Sequence, residues 1–158
     1  ADATSTAGSV SDGATHAFGS GIGDYTLPAN TLSASAKGIR ITAAVQLTTG
    51  ATINLYLKFG SATVSHLSAI NKTTAVLFEC TILRSSGASA QVSFCKGLRD
   101  EGGYPFGIPE GAVNADSGWV INETTEDATA TISIQLLYES STDASKAVYK
   151  FMTVEAIQ

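Results

Sequence analysis

The chain has 158 residues, of which 44% are hydrophobic and 15% charged, and its formal net charge is −5. A chain of this length usually forms one domain around one core. The negative charge disfavours nucleic acid as a partner, because phosphate backbones attract basic surfaces. No apolar run approaches the roughly 20 residues that span a bilayer, so no membrane segment is expected. In typical domains about 25% of the residues are charged. The lower share of charged residues in this chain indicates a surface of small polar residues or one covered by neighbours.

The first part of the chain predicts a flexible N-terminal arm at residues 1–14, followed by a single domain at residues 15–158. Within the arm, three residues have appreciable bulk or charge, namely Asp2, Val10 and Asp12. So little apolar surface cannot order a segment by itself.

We expect the arm to order on a partner, as an attachment arm or an oligomer strap, with Ala3, Ala7 and Val10 as candidate interface residues. Small residues let an extended backbone lie close to another surface, where main-chain hydrogen bonds can add a strand to an open sheet edge. The alternative is a tail without a role.

Alternating apolar and polar residues first appear clearly at 39–47 and 53–59, the pattern of half-buried strands. The turn residues Thr48, Thr49 and Gly50 between them predict a hairpin with one apolar face. The apolar positions are Ile39, Ile41, Ala43, Val45 and Leu47 in the first run and Ile53, Leu55, Leu57 and Phe59 in the second.

A second hairpin is predicted from residues 76–84 and 91–96, with a loop closed by a Ser85–Ala90 pair. One register brings together four complementary pairs: Leu83 with Val92, Thr81 with Phe94, Glu79 with Lys96, and Cys80 with Cys95. We therefore expect the two cysteines to be neighbours, with free thiols if the protein matures in a cytoplasm.

Alternation fades between residues 98 and 128, where we expect a long loop. Its aromatic residues Tyr104, Phe106 and Trp119 have three interpretations: a cap on the core, a subunit or capsid interface, or a sugar site. Residues 119–121 can also be read as a short strand.

The fold predicted from these segments is an all-β, antiparallel two-sheet sandwich or jelly-roll-like domain with little or no helix. A short edge segment is expected at Tyr25–Pro28, since proline ends it. The last two strands are expected at 130–138 and 148–156. The final strand has apolar residues on both faces, which suggests cover on both sides.

No catalytic residue, metal site or cofactor is predicted. His16 and His66 each lack a neighbour at metal-ligand spacing and are interpreted as surface or strand-edge histidines. The acidic group Glu123, Glu126 and Asp127 lacks the spacing of a calcium loop and is interpreted as a solvated turn. The glycine-rich residues 19–23 do not follow a strand or precede a helix, so they indicate a turn rather than a dinucleotide loop.

Three segments resemble a module of tailed-bacteriophage virion proteins: Tyr25 to Leu32 (YTLPANTL), Lys37 to Ile41 (KGIRI) and Leu55 to Gly60 (LYLKFG). The resemblance covers roughly residues 24–96. It implies a jelly-roll-like sandwich, often trimeric, of the kind found in head decoration proteins, head fibres and tail-fibre tips. The glycine and aromatic residue typical of the family near the end of the first long strand are replaced here, where the chain has Ala43, Ala44 and Val45.

The sequence therefore predicts a structural virion protein and not an enzyme. The first hypothesis is a capsid decoration, or cementing, protein made in the host cytoplasm and located on the capsid surface. Its expected partners are the major capsid protein and copies of itself in a homotrimer. The alternative is the receptor-binding tip of a tail or head fibre that recognises a host glycan or protein. A third hypothesis, an enzyme acting on cell-surface polymer, would need a carboxylate pair from Asp100, Glu101 and Glu110.

Overall fold

The computed structural model describes residues 14–18, 21–32, 37–48, 52–70, 73–87, 89–99, 120–140 and 146–157. These residues form ten strands in two antiparallel sheets that pack face to face, which confirms the predicted all-β sandwich. The described part of the chain contains no helix able to cross a membrane.

In chain order, the strands are β1 (His16–Ala17), β2 (Asp24–Leu27), β3 (Gly38–Thr48), β4 (Ile53–Phe59), β5 (Ala62–Ile70), β6 (Thr74–Arg84), β7 (Gln91–Arg99), β8 (Val120–Thr124), β9 (Ile132–Ser140) and β10 (Lys146–Ile157). Sheet A has the order β10-β3-β6-β7-β8. Sheet B has the order β9-β4-β5, with β1 and β2 both paired to the remaining side of β9. The predicted edge segment at Tyr25 lies in β2, which pairs with β9 and ends before Pro28.

The predicted hairpin between β3 and β4 is wrong. β3 pairs with β10 and β6 in sheet A, whereas β4 pairs with β5 and β9 in sheet B. Each strand has one apolar face, as predicted, but the two faces meet across the core instead of lying side by side. Alternation reports that one face of a strand is buried and does not say whether the next strand pairs with it or stacks on it.

The core lies between the sheets and is built from the alternating apolar positions of both. Every apolar position predicted for β3 and β4 is buried, and so are four alternating residues of β9: Ile132, Ile134, Leu136 and Tyr138. Phe78 of β6 is fully buried and stands directly opposite Ala43 of β3 and Gly97 of β7. The space left by the missing side chain of Gly97 is filled by Leu67 of β5, whose side chain a Cβ at Gly97 would overlap.

The register predicted for the second hairpin is confirmed at all four pairs. The Ser85 amide donates to the Ala90 carbonyl at 2.9 Å, so the loop closes where predicted. Cys80 and Cys95 are opposite each other, with their Cα atoms 4.0 Å apart, and are joined by a disulfide. Both face the core, so this covalent link joins two strands of sheet A from the inside.

The last strand differs from the expectation of cover on both sides. β10 pairs with β3 along one edge and lies at the margin of sheet A. On its outward face, Phe151 is 43% exposed among the described residues. The apolar residues on both faces of β10 therefore mark a surface that the described part of the chain leaves uncovered.

The turn between β4 and β5 is held by a carboxylate from a distant strand connection. Gly60 has a φ of 60°, which favours glycine. The next residue, Ser61, donates from its amide and from its hydroxyl to Oε1 of Glu126, each at 2.7 Å. A Cβ at Gly60 would overlap the Glu126 carboxyl group.

A comparison of two glycines tests this arrangement. We expect Gly60→Ala to lower the free energy of unfolding by more than Gly87→Ala, since Gly87 has a similar φ of 62° but open space around its Cα. The Gly87 variant should lose about 1–2 kcal/mol from backbone strain alone. Urea unfolding of both variants measures the difference, and equal losses would contradict a close contact between Gly60 and Glu126.

Candidate functional site

The outer face of sheet A combines apolar side chains with polar and charged ones. The polar and charged side chains are Thr153, Glu155, Arg40, Thr42, Gln46, Glu79, Thr81, Lys96 and Glu123. The apolar side chains on this face, opposite to those in the core, are Val148, Phe151 and Ile157 from β10, Ala44 from β3, Leu77 and Leu83 from β6, Val92, Phe94 and Leu98 from β7, and Ile121 from β8. Ile121 is 63% exposed and Leu83 is 37% exposed. We call this surface the apolar face.

The apolar face follows from the register of three neighbouring strands. Phe94 lies between Thr81 of β6 and Ile121 of β8, and the next row places Leu83 beside Val92. Leu83, Val92, Phe94 and Ile121 lie in two adjacent rows and form one contiguous group. A polar row of Thr153, Thr42, Glu79 and Lys96 separates them from a second group of Phe151, Ala44, Leu77 and Leu98. Contiguous exposed apolar patches of this kind mark interaction surfaces.

Four charged residues on the apolar face stand opposite partners of the other sign, whereas Glu123 stands opposite Val92. Nζ of Lys96 lies 2.6 Å from Oε2 of Glu79, and Arg40 of β3 stands opposite Glu155 of β10 in the register. Such surface pairs contribute little to folding, typically less than about 1 kcal/mol each. The pairs matter when a partner covers this face. Because the two charges of a pair lie side by side, the partner surface meets no net charge there.

The outer face of sheet B is mainly polar, with Leu137 of β9 as an apolar side chain on it. Its described side chains include Asn54, Tyr56 and Lys58 from β4, Thr63 and His66 from β5, and Ser133, Gln135 and Glu139 from β9. The two sheets have the same alternation and share the same core, yet they expose chemically different surfaces. We call this second surface the polar face.

A side-chain cluster stands near one end of the polar face. The Tyr56 hydroxyl donates to Oε2 of Glu139 at 2.6 Å, and Nδ2 of Asn54 donates to the same oxygen at 3.1 Å. The imidazole of His66 stacks on the Tyr56 ring, with centroids 4.5 Å apart and planes 7° apart. Burial, followed by the hydrogen bond and charge of Glu139, raises the pKa of Tyr56 to about 12. The cluster therefore keeps a neutral phenol beside a carboxylate.

His66 lies on β5, at the edge of sheet B, and His16 lies on β1, at the opposite edge, in agreement with the strand-edge prediction. Nε2 of His66 is buried and has no hydrogen-bond partner in the described part of the chain. Burial lowers the pKa of His66, although the charge of Glu139 opposes this effect.

The lowered pKa of His66 predicts a loss of stability in mild acid. The folded state binds the imidazole proton of His66 less tightly than the unfolded state does. The contribution of neutral His66 to stability is therefore complete above the unfolded pKa of about 6.5 and declines as the pH falls below it. We expect His66→Phe, which keeps a ring beside Tyr56, to reduce the difference in unfolding midpoint between pH 7.5 and pH 5. A difference as large as that of the unsubstituted chain would contradict the prediction.

The candidate interface residues predicted from the sequence lie outside the described residues. This applies to Ala3, Ala7 and Val10 of the predicted arm and to Tyr104, Phe106 and Trp119 of the predicted loop. Residues 120–124, which follow Trp119 directly, form β8 and pair with β7. The stretch from 98 to 128 therefore includes a strand.

The acidic group near β8 has structural contacts. Glu126 binds Ser61 as described above, and Asp127 accepts hydrogen bonds from the amide and hydroxyl of Thr129 at 2.9 and 2.7 Å. The Thr129 bonds lower the pKa of Asp127. Among the described residues, no three histidine, cysteine, aspartate or glutamate side chains form a group that could hold a metal ion.

Sequence reasoning missed the apolar face and the Tyr56 cluster for different reasons. The sequence did contain a sign of the apolar face. Leu77 and Leu83 are apolar residues at the outward positions of β6, and Phe94 is one at an outward position of β7. The cluster had no local signal. Tyr56 and Glu139 are 83 positions apart and meet because β4 pairs with β9.

Comparison with known protein families and with curated proteins finds no match for this sequence. The resemblance to phage virion modules stays a prediction.

Proposed function

We propose that the protein is a structural subunit of a tailed-bacteriophage virion that decorates the capsid, with the apolar face as its docking surface. The observation that carries the proposal is the difference between the two outer faces of one sandwich. Leu83 and Ile121 are exposed within one apolar group on sheet A, and Phe151 is exposed on β10, whereas the outer face of sheet B is mainly polar. Grouped exposed apolar side chains favour a surface that neighbours cover.

The partners proposed for the apolar face are the major capsid protein and other copies of this chain, assembled as a homotrimer. Interfaces of this kind have an apolar, well-packed centre and a polar rim. An interface centred on Phe94 and Ile121 would lie at the β7–β8 margin of sheet A, with the Glu79–Lys96 pair and Arg40 along its side toward β3. The low share of charged residues in the whole chain agrees with such burial.

The disulfide fits a protein that is made in the host cytoplasm and completes its chemistry later. Disulfides are rare in reducing cytosol and persist on virion surfaces. The β6–β7 register places Cys80 opposite Cys95, so strand pairing itself brings the two sulfur atoms together. Oxidation after release from the host by molecular oxygen, which accepts two electrons and two protons from the thiols, would then link the two strands.

The alternative, a receptor-binding tip of a fibre, is favoured by the polar face. Tyr56 and His66 provide aromatic rings, while Asn54, Lys58 and Glu139 provide donors and acceptors. Aromatic rings combined with polar groups suit host glycans. In this case the polar face would contact the host cell, and the apolar face would contact the fibre.

A binding experiment with two matched lysine variants tests the proposal. Ile121→Lys places a charge on the apolar face at its most exposed described large hydrophobic residue, and Ser133→Lys places the same charge on an exposed position of the polar face. Occupancy on empty heads is measured by co-sedimentation. We expect Ile121→Lys to weaken binding about 30-fold or more, the effect of losing about 2 kcal/mol at an interface centre, and Ser133→Lys to bind normally.

The same proteins are then applied to host cells. Binding of the unsubstituted chain to cells but not to heads would overturn the decoration proposal in favour of the fibre tip. Unchanged head occupancy of Ile121→Lys would show that the apolar face is not the docking surface.

A further inference from the structure

The outer edge of β10 has no strand partner in the part of the chain that the structure describes. β10 pairs with β3 along its other edge, and sheet A ends there. The ladder with β3 has a bulge between Tyr149 and Phe151 and is regular beyond it. We call residues 151–157 the edge segment; it contains neither proline nor glycine. Open edges of this kind present unpaired amides and carbonyls, which folded proteins normally cover or interrupt.

The two margins of the sandwich differ in how well they are closed. At the β8 margin, Nδ2 of Asn122 donates to the carbonyl of Val64 in β5 at 3.1 Å, a bond that joins the two sheets. At the β10 margin, Met152 and Val154 pack against the core but are only partly buried, although their neighbours across the ladder in β3 are fully buried. The β10 margin therefore keeps apolar surface that a further strand could cover.

The edge segment has a palindromic pattern of polarity. Its sequence is FMTVEAI, in which two apolar residues at each end and one polar residue on each side surround the central Val154. A two-fold contact requires such a pattern, because the same surface patch of both copies must complement itself. The pattern therefore indicates a second copy of this chain as the partner of this edge.

An antiparallel pairing of two edge segments centred on Val154 matches their outer faces. Residues directly opposite each other in such a pair lie on the same face of the sheet. Phe151, which is 43% exposed, would lie beside Ile157 of the other copy, and this contact would occur twice. Thr153 would lie beside Glu155 of the other copy, so no like charges would meet on this face.

The core-side residues match in the same register. The Val154 side chains of the two copies would meet, and Met152 would lie beside Ala156 of the other copy. None of these three residues is fully buried in a single subunit, so the pairing would extend apolar cover past the margin of sheet A. Charge also favours the antiparallel direction. Lys150 precedes the segment and Glu155 lies toward its other end, so a parallel pairing would bring like charges together.

We propose that two copies of this chain associate through their β10 edges, antiparallel and centred on Val154, and so join two five-stranded A sheets into one continuous sheet. The inference does not depend on the phage proposal, because it rests on the strand order, burial and residue pattern of described strands. A two-fold contact joins copies in pairs, so it is additional to the proposed homotrimer. The outer faces of the joined sheets would stay open for docking.

Two substitutions of Thr153 give opposite expectations for the full chain in solution. Thr153 is exposed, and its expected neighbour is Glu155 of the other copy at two equivalent positions. We expect Thr153→Glu to raise the dissociation constant of the pair at least about tenfold and Thr153→Lys to lower it, since like charges directly opposite each other destabilise paired strands. Sedimentation equilibrium over a range of protein concentrations measures this constant. Ser133→Glu and Ser133→Lys on the polar face are the controls for net charge and should leave it unchanged.

Amide hydrogen exchange locates the contact on β10. In an antiparallel pair, alternate amides of β10 point toward β3 and the others point to the outer edge. We expect the outward amides of the edge segment to be protected at high protein concentration and to lose this protection on dilution, while the inward amides change little. A chain that is monomeric at all concentrations, or association that does not distinguish the two Thr153 variants, would overturn the proposal. Protection of the outward amides that persists on dilution would also overturn it, since a segment of the same chain would then cover the edge.

Discussion

Replacing Phe78 by alanine is expected to lower the free energy of unfolding by about 3–5 kcal/mol, the range for removing a large aromatic side chain from a core. Phe78 is fully buried in β6, a central strand of sheet A. The neighbours directly opposite it are Ala43 and Gly97, whose small size prevents them from filling the space that the ring would vacate. The cavity would therefore persist, and its full effect should appear in urea or thermal unfolding.

Phe94 provides the matched control for Phe78, because it is the same residue type in the adjacent strand of the same sheet but on the apolar face. Phe94→Ala should cost the isolated chain about 1–2 kcal/mol, less than Phe78→Ala, since Phe94 is half-buried and leaves no enclosed cavity. It should nevertheless weaken attachment to empty heads. Equal losses of stability at the two positions would contradict the assignment of the sheet's two faces.

Breaking the disulfide is expected to give the second large loss in the free energy of unfolding. Cys80 and Cys95 are 15 positions apart, and closing a loop of about this size restricts the unfolded chain by about 3 kcal/mol. We expect the reduced chain to unfold at a correspondingly lower urea concentration than the oxidised chain. Comparing these two forms leaves every side chain in place, so the difference reports the covalent link.

The double variant Cys80→Ala/Cys95→Ala provides a control for the reducing agent. Its unfolding midpoint should be the same with and without reductant, and close to or below that of the reduced natural chain. A natural chain whose midpoint does not respond to reduction would contradict a stabilising bond between these cysteines.

Local patterns predicted the strands well, because burial of one face imposes alternation that can be read directly. The register of β6 with β7 was predictable for a related reason: the short loop fixes it, and Glu79 with Lys96 and Cys80 with Cys95 agree on the same alignment. β5 was not predicted, since His66 falls within a stretch that reads as mixed polar and apolar. A bulged register with β4 disturbs the regular alternation there.

Relations between distant segments could not be read from the sequence. The misassigned β3–β4 hairpin shows that apolar alternation is identical for paired and stacked strands. The Tyr56–Glu139 bond requires the β4–β9 pairing, which nothing local encodes. The apolar face was readable in part, but the exposure of Ile121 depends on β8 lying at the edge of sheet A. Pattern predicts which residues share a face, whereas topology decides what that face meets.

Side-chain footprinting by hydroxyl radicals on free and particle-bound protein shows which face of the sandwich docks on the capsid. The free protein should be oxidised on both faces. On the particle, we expect strong protection of Phe94, Ile121 and Phe151 on the apolar face, with Tyr56 and His66 on the polar face remaining reactive. Protection of Tyr56 and His66 with continued oxidation of the apolar face would contradict the account.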